Sequence, residues 1–100
     1  MALNVIARKA LKDFWERHPD AERPLSTWYQ IVSKGTWGSP ADLKRAFGAI
    51  VDFVGDSRAI FDIGGNKYRL VVHFAYLHKA ALIKFVGTHK DYDRINAETV

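Results

Sequence analysis

The sequence contains no cysteine, which excludes a disulfide framework, a thiolate metal site and a cysteine nucleophile. It has no apolar run near the roughly 20 residues that cross a bilayer. The segment Met1 to Ala10 lacks the hydrophobic region and small-residue cleavage site of a secretory leader, so a cytoplasmic protein with no membrane contact is expected. Its 4 histidines, His18, His73, His78 and His89, are dispersed and form no H-x-x-x-H pair; no metal site and no cofactor are expected. Repeats, linkers and low-complexity stretches are also missing.

What is present suits one folded unit. A chain of 100 residues buries about two-thirds of its unfolded surface and supports one core, so residues 1–100 are expected to be a single domain. The 48% hydrophobic and 13% aromatic content is too rich for a disordered chain. Against 11 acidic residues stand 15 Lys and Arg, for a net charge of +4. That surplus favours encounters with polyanions, but soluble domains that never touch nucleic acid share it.

The hydrophobic period changes once along the chain. The apolar start Leu3, Val5 and Ile6 fits a short strand or a first helical turn. From Arg8 to His18, Ala10, Leu11, Phe14 and Trp15 recur at helical spacing, and Pro19 closes the helix. Pro24 suits the first turn of a second helix carrying Leu25, Trp28, Tyr29, Ile31 and Val32, stopped by Gly35. Ser39-Pro40 followed by Asp42 reads as an N-cap opening a short helix to Phe47, with Gly48 ending it. Beyond Gly48 the period is two-fold. Ile50 to Val54, Ala59 to Ile63, Lys67 to Tyr76 and Ala80 to Val86 read as strands separated by Gly55-Asp56, Gly64-Gly65-Asn66 and Leu77-His78-Lys79. The expectation is an α+β fold: N-terminal helices on one face of a small twisted antiparallel sheet, the other face free, and a short C-terminal helix.

Alternation in the third strand places Tyr68, Leu70, Val72, Phe74 and Tyr76 toward the core. Lys67, Arg69 and His73 then form a basic stripe on the opposite face. Lys84 joins that face if Leu77-His78-Lys79 closes as a two-residue loop and leaves it if the loop has three. The last strand is expected to end at Gly87, and Thr88 to cap a turn in which His89 and Tyr92, three apart, lie side by side. An imidazole, a phenol and a guanidinium are the parts for metal-free RNA cleavage. A base deprotonates the ribose 2′-OH, a cation steadies the charge on the phosphoryl oxygens, and an acid protonates the leaving 5′-oxygen. Arginine suits the middle role because its planar fork meets two phosphate oxygens. Taken singly, Arg69 and His73 read first as solvated strand residues, Tyr92 as a packing anchor, His89 as a helix-start residue, and Trp15 and Trp28 as core. Trp37, between Gly35 and Gly38, is open to either use.

The stretch Phe61 to Val72 (F-D-I-G-G-N-K-Y-R-L-V-V), followed by Lys84 to Asp93 (K-F-V-G-T-H-K-D-Y-D), resembles the HigB family within the wider RelE-like toxins. The A-L-K-D-F-W helix and the S-P-A-D-L-K turn resemble it more loosely. The resemblance implies a RelE-like fold in a bacterial cytoplasmic toxin. It implies metal-independent cleavage of messenger RNA, often on the ribosome, and neutralisation by a HigA-type antitoxin whose helix-turn-helix domain, not the toxin, meets operator DNA. Arg69 falls where the family places its phosphate-contacting arginine, and His89 and Tyr92 match the C-terminal catalytic motif. Lys84 is implied as an assisting group, and Lys67, His73 and Lys90 as RNA contacts. Asp62 or Asp91 is available as a carboxylate base. Two other readings use the same surface: an RNA-binding module that leaves RNA intact, and a protein-interaction domain recruiting a peptide by strand addition.

Overall fold

The computed structural model describes residues 4–55 and 57–100, so Leu3 of the apolar start and Asp56 of the first hairpin turn lie outside the described residues. The elements follow the order β1 (Asn4–Ile6), α1 (Arg8–Arg17), α2 (Glu22–Lys34), α3 (Pro40–Phe47), β2 (Val51–Val54), β3 (Arg58–Ile63), β4 (Tyr68–Ala75), β5 (Ala80–Thr88) and α4 (His89–Tyr92). Helices first, strands second and a short closing helix is the expected α+β arrangement.

Each helix follows from an apolar stripe. In α1, Leu11 and Phe14 are buried, and in α2 Leu25, Trp28 and Val32 are. The second helix begins at Glu22, directly after a 3-10 turn at Pro19–Ala21. Pro24 therefore sits inside its first turn, where a missing N–H leaves no bond unmade. Ser39 holds the N-cap position of α3 in an extended conformation, yet its hydroxyl makes no capping bond. Asp42 serves instead, accepting from the Gly38 N–H at 2.9 Å.

The sheet has the order β1-β5-β4-β3-β2. Strands β2 to β5 form the three expected antiparallel hairpins, but β1 pairs parallel to β5, with Asn4 opposite Ala80 and Ile6 opposite Leu82. The sheet is thus mixed, not wholly antiparallel. A single residue, Ala7, links β1 to α1 in the left-handed region (φ 70°), so the chain leaves the sheet edge directly into the helical layer.

Helices and sheet share one core. Phe61 is fully buried at its centre, with the rings of Phe47, Trp28 and Phe74 at 5.0, 5.4 and 6.2 Å. Burying such a ring contributes about 1.5–3 kcal/mol. Trp15 packs against the core from its edge. Trp37 is also structural: its indole N–H donates to the Val32 carbonyl at 2.9 Å, and its ring lies close enough to Gly35 that a Cβ there would sit 2.5 Å away.

The opposite sheet face is not left open as expected. Ile60 and Val71 point away from the helices yet are 6% and 0% exposed. The segment after α4 accounts for part of this. Arg58 Nη1 donates to the carbonyls of Ala97 and Val100 at 2.9 and 2.7 Å, drawing the chain back across the face. What remains accessible on this side lies toward the other end of β3 and β4.

Candidate active site

Strands β3 and β4 set Asp62 directly opposite Arg69. Neighbouring side chains on one face of an antiparallel pair meet, and here Arg69 Nε lies 3.2 Å from Asp62 Oδ1. Arg69 Nη1 is also 3.3 Å from the carbonyls of Asn66 and Tyr68. Only 9% of Arg69 is exposed. Two backbone carbonyls accept from Nη1 and the Asp62 carboxylate pairs with the nearly buried guanidinium on its Nε side; among the described residues Nη2 has no partner, which leaves its donors for an incoming anion.

Across β4 on its other side, Arg69 faces Gly87. This glycine does not end the strand as expected: β5 runs on to Thr88, and the pairing of Tyr68 with Thr88 carries α4 to the end of β4. A Cβ at Gly87 would sit 2.5 Å from the Phe85 ring and 3.2 Å from Asp91 Cβ, so a glycine is required for both to close in. Thr88 caps α4 in a complete capping box with Asp91. The Asp91 N–H donates to Thr88 Oγ1 at 3.1 Å, and the Asp91 carboxylate accepts from the Thr88 N–H at 3.4 Å. That engagement gives Asp91 a structural task.

The first turn of α4 ends on Tyr92, whose ring centroid is 5.9 Å from the Arg69 guanidinium carbon. Arg69 and Tyr92 line one open cavity of about 530 Å³ with Lys44, Asp52, Asp62 and Ile50. Lys44 reaches it from α3, its ammonium donating to the Val51 carbonyl at 3.2 Å. Two cations and two carboxylates thus face the space. Burial pushes the Tyr92 phenol above its usual range; Arg69 opposes the shift while Asp52, Asp62 and Asp93 add to it. A phenol shifted in this direction keeps its proton at neutral pH. Among the described residues no group of three or more His, Asp or Glu is placed to hold a metal ion.

The HigB toxin family, described as the RelE-like toxic component of a toxin-antitoxin system, matches residues 21–95. The chain belongs to the HigB family. The mRNA interferase toxin HigB of Escherichia coli K12 is 32% identical over 96 residues, which is 95% of this chain and 92% of that protein. The mRNA interferase HigB of E. coli O157:H7 matches to the same extent, and the mRNA interferase HigB of E. coli O6:H1 is 19% identical over 93% of this chain and 91% of its own length. The family match spans every cavity residue named above, from Lys44 to Tyr92.

In this HigB-family chain the residues singled out from sequence do not all converge. Arg69 and Tyr92 come together. His89 shares the α4 turn with Tyr92 but does not line the cavity; its Nδ1 lies 3.5 Å from Asp93 Oδ2. Lys67 precedes β4, and its ammonium lies 3.1 Å from Asp20, at the start of the helical layer between α1 and α2. It is therefore not part of a stripe with Arg69. His73 shares the Arg69 face, opposite Arg58 and Leu82, but the buried Val71 stands between the two. The β4–β5 register, with Ala75 opposite Ala80, is the one expected from the shorter loop, which would set Lys84 opposite Val71. A bulge at that point puts Phe85 there and leaves Lys84 exposed and unpaired. Lys90 is exposed on α4. Lys44 and Asp52 lacked a signal of their own: each reads as a polar position on an amphipathic element, and only tertiary folding brings them to Arg69.

Proposed function

We propose that this HigB-family chain is an endoribonuclease, an mRNA interferase, acting without a metal at the Arg69–Tyr92 cavity. The observation that carries the reading is the clamped Arg69 guanidinium beside a protonated phenol in one accessible space. A phosphodiester resting on the Nη2 donors receives the ribose 2′-oxygen as nucleophile. Arg69 and Lys44 steady the charge that grows on the phosphoryl oxygens, and Tyr92 protonates the departing 5′-oxygen. The products are a 2′,3′-cyclic phosphate and a 5′-hydroxyl, and only RNA supplies the internal nucleophile.

For the base, Asp52 lines the cavity and His89 stands on the same turn as Tyr92; Asp62 is committed to Arg69. Comparing pH–rate profiles of Asp52→Asn and His89→Ala assigns the role, because only loss of the true base removes the acidic limb. Lys84 assists as a further cation, and Lys67, His73 and Lys90 add phosphate contacts whose loss lowers the salt dependence of binding. Residues 1–100 act as a single RelE-like domain. Its partners are messenger RNA, the ribosome on which cleavage occurs, and a HigA-type antitoxin through which alone it meets operator DNA.

The test is incubation of the purified protein with a defined transcript, with and without ribosomes, followed by analysis of the new ends. Cyclic phosphate ends are expected from the wild type. Arg69→Ala should cut on the order of 100- to 1,000-fold more slowly and fail to arrest growth while staying folded. A folded, fully toxic Arg69→Ala protein refutes the assignment, and salt-sensitive binding without cleavage identifies a non-catalytic RNA-binding module instead.

A further inference from the structure

A second concavity opens directly beside the Arg69 cavity. It is an apolar groove of about 480 Å³ between α2, the end of α3 and the β3–β4 turn, with Trp28, Ile31, Phe47 and Ile63 among its walls. Two of its residues, Ile50 and Asp62, also line the Arg69 cavity, so the two spaces adjoin. Their chemistry is complementary. The groove lining contains no Lys, Arg or His, while Arg69 and Lys44 face the neighbouring cavity. Ile31 and Ile50 are 44% and 43% exposed along this groove, an unusual exposure for large aliphatic side chains.

Resting on the nuclease reading, we infer that this groove is a nucleobase subsite: it receives the base of a nucleotide flanking the phosphodiester held at Arg69. A nucleotide joins a flat, largely apolar ring to a charged phosphate, and the paired spaces present an apolar surface in one and the Arg69 and Lys44 donors, beside Asp52 and Asp62, in the other. Apolar contact with a base face tolerates any base, so the groove anchors the strand and favours the larger purines over pyrimidines. Ile31 and Ile50 grip the base from opposite walls, and Ile50 at the junction sets how far the strand advances toward Arg69.

The experiment compares binding of two short 2′-O-methyl oligonucleotides, which lack the nucleophile: one of adenines, the other of equal length and charge but abasic. Wild type should prefer the adenine oligomer by about ten-fold or more, within the range for stacking of a single base. Ile31→Ser should bind the adenine oligomer about five-fold more weakly and the abasic oligomer unchanged, with a urea melt confirming that it is folded. Equal losses on both oligomers, or none on either, overturn the subsite. Normal RNA binding and cleavage by Ile31→Ser combined with escape from antitoxin inhibition would make the groove a protein dock instead. Wild type that discriminates between the oligomers but cleaves no RNA, with or without ribosomes, refutes the nuclease reading and leaves the subsite standing.

Discussion

Replacing Asp62 tests how Arg69 is held. Its carboxylate lies 3.2 Å from Arg69 Nε, with the arginine side chain 11% exposed and the aspartate 38%. At an effective dielectric of about 20, the gross attraction at that distance is about 5 kcal/mol. Desolvation of the guanidinium and screening by the solvent at Asp62 cancel more than half, which leaves about 2 kcal/mol, between an exposed ion pair and a buried one. Asp62→Ala strands a nearly buried cation against two carbonyls at 3.3 Å and should lower stability by that amount, or Tm by on the order of 10 °C for a domain of this size. Asp62→Asn removes the charge but keeps a polar oxygen beside the guanidinium and should lose less. Arg69→Leu added to Asp62→Ala should recover stability, because it removes the orphaned charge itself. Cleavage should fall about 100-fold in Asp62→Ala, the effect of letting a reacting group drift by about 1 Å. Urea melts and single-turnover cleavage on ribosomes measure the two effects. An Asp62→Ala protein that melts and cuts like the wild type would show that the backbone carbonyls alone hold Arg69, and the clamp described here would be wrong.

The phenol gives a second expectation. Because burial raises the Tyr92 pKa above its ordinary value of 10.0, the acid stays protonated through neutral pH. The alkaline limb of the rate profile should therefore fall only above pH 10, and Tyr92→Phe should lose both that limb and the rate. Asp20 is held below its ordinary 3.8, first by the Tyr68 hydroxyl and then by Lys67. A carboxylate with a depressed folded pKa stabilises above its unfolded value and loses that contribution as pH falls through the folded one. Acid melts of the wild type should thus lose this stabilisation below pH 3.8, and Tyr68→Phe should melt with a shallower slope there. Thr88→Ala removes the cap of α4 and should cost about 1 kcal/mol, read in a thermal melt, with cleavage reduced because Tyr92 is carried by that turn.

The helices were legible because their apolar spacing and their proline and glycine punctuation agree: Leu11 with Phe14, and Leu25 with Trp28 and Val32, announce their buried faces. Pairing of β2 through β5 was legible for the same kind of reason, since Gly64, Gly65 and Asn66 all take positive φ where the turn was expected. The parallel pairing of β1 was not, because three residues carry no period. Nor was the bulge at Lys84, which depends on how β5 passes Val71 and Phe85 and has no local composition signal. In the site, Arg69 and Tyr92 stood out by residue type and resemblance. Lys44 and Asp52 became visible only when α3 and β2 packed beside them, and His89 was expected inside a cavity that its own helical turn points Tyr92 toward instead.

The parallel edge of the sheet also bears on the order of synthesis. Strand β1 is translated before its partner, β5, with α1, α2, α3 and three strands made between them. Asn4 to Ile6 must wait unpaired until Ala80 to Leu82 emerge, and the long separation makes their closure a slow, late event. A strand translated ahead of the helices is therefore among the last to find its place.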